Sequence, residues 1–326
     1  MEMRFALLLS VINPAVGGVL LIGPRGVGKT TCVRSLTGIL PDVLVPDEDI
    51  PMEELDPGET PPMHYERVKL IELPLNARLE DVVGGVNERI AIQQKRVRLE
   101  RGILARADQN ILYIDEVNLL DDQVIDAILD AAAQGSYTVR RGAMAGTFRS
   151  RFVLIGSMNP EEGSLRPQIM DRFGLRVVVA GMQDVDERLE VYRRVRAYRD
   201  NPHRFLQEWA VETAAIREEV GLARDLLKET AISDEAMSLG IRLVQELQVE
   251  SNRAEFTLFE AARALAAADG RDQVLTKDIE VIAPMALRQR RSTFMEEFLA
   301  HQQREDEEIG RTLQALKRDL TLDANE

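Results

Sequence analysis

One stretch of the sequence, from Gly23 to Thr30, has residue types and a spacing suited to binding phosphate groups. It fits the pattern G-x-x-x-x-G-K-[ST] in full. The glycines let backbone N–H groups turn toward phosphate oxygens, and a helix that starts there adds the positive end of its dipole. The alternative, a chance glycine turn, is disfavoured because the stretch lies between a predicted strand and a predicted helix. The predicted nucleotide-binding residues are Gly23, Pro24, Arg25, Gly26, Val27, Gly28, Lys29, Thr30 and Thr31.

Two side chains of this phosphate loop have separate predicted roles. Lys29 can reach the β- and γ-phosphates of a nucleotide, and the hydroxyl of Thr30 can hold Mg²⁺. The predicted cofactors are therefore ATP and Mg²⁺. The loop alone predicts nucleotide binding, because hydrolysis also needs a group that activates water.

An acidic pair can supply that group. Asp115 and Glu116 directly follow the apolar run 111–114. We predict that Asp115 binds the magnesium shell and that Glu116 polarises the attacking water. The alternative interpretation is an acidic cap at the start of a helix.

Three further residues are candidates for the same reaction. Asn159 follows another apolar run and could orient the water, although an Asn-Pro pair by itself is also an ordinary turn. Arg172 could be an arginine finger that acts on the ATP of a neighbouring subunit, and Arg253 could reach the γ-phosphate of its own subunit. For both arginines, spacing alone favours a solvated or salt-bridged side chain.

These residues need a framework, and the hydrophobic pattern predicts one. Short apolar runs alternate with helical segments, as in a parallel sheet covered by helices on both faces. The predicted strands are 19–22, 68–73, 111–114, 152–156 and 175–180. From about residue 183 the strand pattern stops, and helices follow, including one at 255–268. The predicted fold class is α/β, with a P-loop domain at 1–182, an all-helical lid domain at 183–292 and a charged helical tail at 293–326.

The segments between the strands give further local predictions. A helix should follow the phosphate loop and end near Leu40, before Pro41. The other predicted segments are an acidic loop at 41–67, a helix at 88–107, a helix at 121–134 and a hairpin at 137–148 that turns at 142–146.

Composition limits the function classes. The chain has 326 residues, a formal net charge of −14, one cysteine and three histidines. The negative charge argues against broad nucleic-acid binding. A single cysteine cannot form an internal disulfide, and the cysteine and histidines do not have the spacing of zinc ligands. Cys32 is best interpreted as a small side chain packed in a helix. Neither a signal pattern nor an apolar run long enough for a membrane helix is present, so a cytoplasmic location is expected.

The motifs resemble those of one family, the magnesium chelatase I subunit. The similar stretches include Ile111 to Leu120, Gly156 to Gly163 and Leu165 to Leu175. Upstream, 102–107 is similar as well, and downstream 252–258 and 261–267 resemble the helical lid of that family. The resemblance extends over roughly residues 5–292. The family normally carries an upstream segment that helps to hold adenine. Many relatives also carry cysteines in the acidic loop, whereas the acidic loop of this chain contains none.

This resemblance implies an AAA+ motor that forms a ring, usually a hexamer, with ATP bound between subunits. It also implies a D-type partner with an integrin-like domain and a large H-type partner that inserts Mg²⁺ into protoporphyrin IX. By the same resemblance, Lys29, Thr30, Asp115, Glu116, Asn159, Arg172 and Arg253 take the roles given above. Two alternatives remain at this point: a MoxR-type AAA+ chaperone working with an integrin-like partner on another metalloprotein, and an ATPase-like scaffold that only binds nucleotide. The intact Lys29, Asp115 and Glu116 argue against the scaffold.

Overall fold

The computed structural model describes residues 2–46, 63–86, 99–141, 144–290, 302 and 309. Most of the predicted tail at 293–326 lies outside these residues. The described strands are β1 (Val19–Ile22), β2 (Val43–Pro46), β3 (Met63–Glu66), β4 (Leu70–Leu73), β5 (Gly84–Val86), β6 (Leu99–Arg101), β7 (Ile111–Ile114), β8 (Ser136–Arg141), β9 (Met144–Arg149), β10 (Val153–Met158), β11 (Leu175–Val178), β12 (Ala231–Ile232) and β13 (Gln273–Val274). The α-helices are α1 (Glu2–Ile12), α2 (Lys29–Ile39), α3 (Leu79–Val83), α4 (Ile103–Arg106), α5 (Asp122–Gln134), α6 (Pro167–Arg172), α7 (Val185–Asp200), α8 (Pro202–Glu208), α9 (Ala210–Leu226), α10 (Asp234–Glu246), α11 (Asn252–Ala268) and α12 (Thr276–Leu287).

Five of the strands form a single parallel sheet in the order β11-β1-β10-β7-β4. In β1, Ile22 is in register with Met158 on one side and with Val178 on the other. Strand β7 pairs with β10 and with β4. Because all these strands are parallel, their carboxyl ends meet at one edge of the sheet, which is where ligands bind in open α/β sheets.

The sheet is covered on both faces, which explains why its central strands are continuous apolar runs. Every residue of β1, β7 and β10 is buried. Along β1, Val19 and Leu21 face a hydrophobic core that they share with α2. Leu20 and Ile22 face a second core, which is completed by α5. The predicted strands are thus observed: two have the predicted bounds, and the bounds of the other three differ by at most two residues.

The described residues after β11 are mainly helical, as predicted. The longest of its helices are α9 and α11, and the predicted helix at 255–268 is the C-terminal part of α11. The prediction missed one feature, a two-residue parallel ladder between β12 and β13, which is too short to show a periodic pattern. Among the described residues, none of the helices combines the length and the apolar character required to cross a bilayer.

A buried arginine ties the end of this helical part to the segment before β11. The side chain of Arg290 is 0% exposed, and its Nη1 donates to Asp171 Oδ1 at 2.7 Å. Its Nη2 donates to the backbone oxygens of Phe173, at 3.2 Å, and Gly174, at 2.9 Å. The chain from Asp171 to Gly174 is therefore fixed by a residue more than 100 positions away in sequence.

The predicted acidic loop at 41–67 is wrong at both of its ends. Strands β2 and β3 pair there in antiparallel fashion, with Val43 opposite Glu66 and Pro46 opposite Met63. Residues 47–62 between them lie outside the described residues. The pairing is nonlocal, so the sequence pattern of either end alone could not reveal it.

The predicted helix at 88–107 is also wrong for residues 99–102. Residues 87–98 lie outside the described residues, but Leu99 to Arg101 form β6, which pairs antiparallel with β5. Of the described residues in this predicted helix, Ile103–Arg106 form the helical part. Gly102 explains the close pairing, because a Cβ atom there would lie 2.2 Å from the backbone oxygen of Val82. The predicted hairpin is confirmed as β8 and β9, although β9 already begins at Met144, inside the predicted turn.

Candidate functional site

The phosphate loop joins the end of β1 to the start of α2 and lies at the carboxyl edge of the sheet. Gly26 and Gly28 have φ values of 78° and 88°, in the left-handed region that favours glycine. Helix α2 begins at Lys29, so its first backbone N–H groups open toward the loop. The loop therefore has the conformation and the helix end that suit phosphate oxygens.

A cleft opens beside this loop. One wall consists of the consecutive residues Arg25 to Thr31, and the other consists of residues from the ends of β7 and β10. The second wall is formed by Asp115, Glu116, Ser157, Met158 and Asn159. The sheet order makes this possible, because β10 lies between β1 and β7 and holds the two walls at a fixed separation.

Lys29 is the buried cation of the cleft. Its residue is 9% exposed, and its Nζ donates to the backbone oxygens of Gly23 and Pro24, at 2.5 and 2.9 Å. Burial lowers the pKa of the Lys29 ammonium below its ordinary value, and the nearby carboxylates of Asp115, Glu116 and Glu162 act in the opposite direction.

Asp115 is held by two hydroxyl groups. Tyr113 donates to Asp115 Oδ1 at 2.9 Å, and Ser157 donates to the same oxygen at 2.5 Å. The Tyr113 hydroxyl also lies 3.1 Å from Thr30 Oγ1, so the two predicted magnesium ligands, Thr30 and Asp115, share one neighbour. Burial, together with the bond to Asp115, raises the pKa of Tyr113 to about 12, which keeps its hydroxyl protonated at neutral pH.

Glu116 occupies an unusual backbone position and is ion-paired. Its φ is 55°, in the left-handed region, and its N–H donates to Ser157 Oγ at 3.2 Å. Its carboxylate oxygen Oε1 lies 3.0 Å from Arg25 Nη2. The same Arg25 nitrogen also pairs with Glu162, so two carboxylates share one guanidinium.

Asn159 lies where it was predicted, directly after β10 on the wall of the cleft. It is 4% exposed, and its Oδ1 accepts a hydrogen bond from the N–H of Glu161 at 3.2 Å. This bond fixes the side-chain oxygen, so the amide nitrogen is the group available for donation.

The two predicted arginines do not line this cleft. Arg172 Nη1 lies 2.9 Å from Asp130 and 3.2 Å from Asp126, both on α5. Arg253, 55% exposed, lies 3.8 Å from Asp171. Within a single chain, both Arg172 and Arg253 are therefore salt-bridged. Their roles toward ATP stay predictions.

Sequence reasoning missed three residues of the site: Tyr113, Ser157 and Glu162. Tyr113 precedes Asp115 by two positions, and residues two apart in a strand point to the same side, so this signal was present in the sequence. Ser157 and Glu162 contact the site from another strand and from the turn after it. Their contacts depend on which strands are neighbours, and no local pattern encodes that.

The sequence matches the family model for magnesium chelatase, subunit ChlI, over residues 5–172, slightly more than half of the chain. The chain belongs to the magnesium chelatase ChlI family. A second family model, for the AAA lid domain, matches residues 238–312.

Individual ChlI relatives agree with this. A magnesium-chelatase subunit ChlI homolog from Methanocaldococcus jannaschii is 41% identical over 307 residues, which cover 90% of this chain and 84% of that protein. The chloroplastic magnesium-chelatase subunit ChlI of Nicotiana tabacum is 37% identical over 89% of this chain and 71% of its own length. A structure described as a complex between subunits BchI and BchD of magnesium chelatase, based on cryo-electron microscopy, contains a chain that is 37% identical. That match covers 91% of this chain and 95% of the other, with a TM-score of 0.50.

Membership of the ChlI family confirms two predictions. The fold class is an α/β AAA+ domain followed by a helical lid, and the chain is an AAA+ ATPase of a family that hydrolyses ATP. Family membership also implies the use of ATP and Mg²⁺. The relatives above are named as magnesium-chelatase subunits or as a homolog of one, which does not favour the MoxR-type alternative.

Proposed function

We propose that this chain is the ATPase motor subunit of a magnesium chelatase, and that its ATP hydrolysis drives insertion of Mg²⁺ into protoporphyrin IX by a partner catalytic subunit. The proposal rests on one observation: the phosphate loop and the acidic pair line opposite walls of the same cleft. The ChlI relatives support it, since the matches extend over about nine tenths of the chain.

The residues of the cleft fit a nucleotide-bound Mg²⁺. Thr30 and Asp115 offer the hydroxyl and carboxylate oxygens that Mg²⁺ prefers, and Tyr113 bridges them within hydrogen-bond distance. The ion, when bound, would neutralise charge that develops on the phosphate oxygens.

The remaining residues of the cleft have separate roles in phosphoryl transfer to water. The loop from Gly23 to Thr31 binds the phosphates through its backbone N–H groups, and Lys29 adds a buried positive charge beside them. Glu116 accepts a proton from the attacking water, and Asn159 donates a hydrogen bond that orients this water.

An ATP bound here would need an arginine from outside the cleft, because the only arginine in its described lining is Arg25. We propose that Arg172 is this finger for a neighbouring subunit in a homo-oligomeric ring, which the family resemblance makes a hexamer. Arg253 is the proposed lid arginine. The proposed division of the chain is an ATPase domain at 1–182, a lid domain at 183–292 and a tail at 293–326.

The proposed partners are a D-type subunit with an integrin-like domain and a large H-type subunit that binds porphyrin. The resemblance to a chain in a BchI–BchD complex supports the first. The proposed location is the cytoplasm. Nucleic acid is not a proposed partner, since the net charge of −14 would repel a phosphate backbone.

A reconstituted chelatase assay tests the proposal. The chain is combined with the D- and H-type subunits from the same cell, and Mg²⁺ insertion is followed by the fluorescence of the metallated porphyrin. We expect insertion with the wild type, and none with Glu116→Gln, which should still bind ATP but hydrolyse it at least about 100-fold more slowly. Lys29→Ala should bind ATP more weakly than the wild type. Insertion at the wild-type rate with Glu116→Gln would contradict the proposal. Measurement of the oligomeric mass with and without ATP tests whether the chain forms a ring.

A further inference from the structure

The hydroxyl of Tyr113 lies between the two side chains proposed as magnesium ligands. It is 3.1 Å from Thr30 Oγ1 and 2.9 Å from Asp115 Oδ1. The residue is 1% exposed, and its ring packs in the hydrophobic core below the cleft. Core packing therefore fixes the ring, and only its polar tip reaches the site.

The chemistry of these groups decides which of them donates. A carboxylate can only accept hydrogen bonds, so the single proton of the Tyr113 hydroxyl is directed to Asp115. The hydroxyl of Thr30 must then donate to the Tyr113 oxygen. This leaves the lone pairs of Thr30 Oγ1 free to face a cation.

Ser157 extends the same arrangement from the neighbouring strand. Its Oγ accepts from the N–H of Glu116 and donates to Asp115 Oδ1. Both hydroxyl donors of Asp115 thus act on the same oxygen. Within the described residues, the other oxygen, Oδ2, has no such donor and is the one left for a metal ion.

We propose that Tyr113, together with Ser157, is a positioning residue for the magnesium ion of the nucleotide site. The two hydroxyls orient the oxygens of Thr30 and Asp115 before the ion binds. These side chains therefore lose less conformational entropy when the ion binds. The inference rests on the proposed ATPase site and extends it to two residues whose hydroxyl groups contact the proposed magnesium ligands.

The test measures binding and does not depend on turnover. A fluorescent, non-hydrolysable ATP analogue is titrated onto the full chain at a series of free Mg²⁺ concentrations, and again in EDTA. Tyr113→Phe keeps the ring that fills the core and removes only the hydroxyl. We expect the Mg²⁺ concentration at half-saturation to rise about tenfold, the lower end of the effects seen when partners of metal ligands are removed. Binding in EDTA should be unchanged.

Two controls separate the possible failures. Tyr137→Phe removes another buried tyrosine hydroxyl, outside the cleft lining, and should leave the Mg²⁺ midpoint at the wild-type value. If the wild type itself shows no dependence on Mg²⁺, the proposed ATPase site is wrong. If the wild type depends on Mg²⁺ but Tyr113→Phe has the same midpoint, the positioning role is wrong.

A merely structural role would look different again. In that case Tyr113→Phe would lower the Tm of the free chain and weaken binding equally with and without Mg²⁺, which would overturn the inference. Ser157→Ala provides a second, independent variant, because it removes the other donor to the same oxygen. It should raise the Mg²⁺ midpoint in the same direction, and an unchanged midpoint would also count against the inference.

Discussion

Arg25 Nη2 lies 3.0 Å from Glu116 Oε1, so an ion pair connects the phosphate loop to the carboxylate proposed to activate water. Glu162 binds the same guanidinium. Arg25 is 68% exposed, whereas the two glutamates are 21% and 20% exposed. The arginine is thus the accessible member of the cluster, and a phosphate group entering the cleft can compete with the glutamates for it.

Replacing Arg25 should change nucleotide binding more than turnover. Arg25→Ala removes a cation that can move to the phosphates, and we expect KM for ATP to rise roughly five- to thirtyfold, equivalent to about 1–2 kcal/mol. The value of kcat should not fall, because Glu116 is then released from its ion pair. Steady-state kinetics measure both. A large fall in kcat with an unchanged KM would mean that Arg25 acts only in the transition state.

Arg172 should act on a neighbour's ATP. Arg172→Ala should bind ATP normally and hydrolyse it about 10³-fold more slowly, the magnitude typical of a lost arginine finger. Mixing it with Lys29→Ala should restore activity, since some interfaces then combine an intact cleft with an intact finger. Arg166→Ala is the comparison variant, because Arg166 also pairs with an aspartate of α5, Asp122, and it should hydrolyse ATP like the wild type if Arg172 is the finger. If the mixed subunits assemble without rescue, Arg172 is not the finger and Arg166 becomes the candidate.

The affinity for ATP should depend on pH through Lys29. Because burial lowers the pKa of this ammonium, deprotonation begins at a lower pH than for an ordinary lysine. Bound phosphate raises the pKa again. Affinity should therefore be constant below the pKa of the free site and fall by up to about tenfold per pH unit as pH rises above it. Titrations on the alkaline side measure this, with Lys29→Arg as a control that stays charged. Equal pH profiles for both proteins would show that Lys29 is not responsible.

The buried contacts of Arg290 should contribute strongly to stability. Arg290→Ala leaves Asp171 and the carbonyl groups of Phe173 and Gly174 without this donor, and we expect a loss of about 3–5 kcal/mol in the free energy of unfolding. Arg204→Ala is the control, because it breaks an exposed pair with Glu208 and should cost at most about 1 kcal/mol. Denaturant unfolding measures both. Similar losses for the two variants would contradict the assignment of Arg290 as a link.

The sequence predicted those parts of the site that local rules determine. The phosphate loop needs particular residues at fixed offsets, and Asp115 and Glu116 are recognisable because they end an apolar strand. The partners of these residues depend on the order of strands in the sheet, which brings Ser157 to Asp115 and Arg25 to Glu116. The same reason explains the wrong helix at 99–102, where antiparallel pairing with β5 outweighed the helical tendency of the segment.

The left-handed backbone of Glu116 has a consequence for how this position can vary. A residue with a Cβ atom in that conformation costs about 1–2 kcal/mol relative to an unstrained one, whereas glycine adopts it freely. Selection for a stable fold alone would favour glycine here, and selection for hydrolysis favours a carboxylate. Position 116 is therefore a point where stability and activity are opposed, and a chain released from the need to hydrolyse ATP would no longer be held to glutamate at this position.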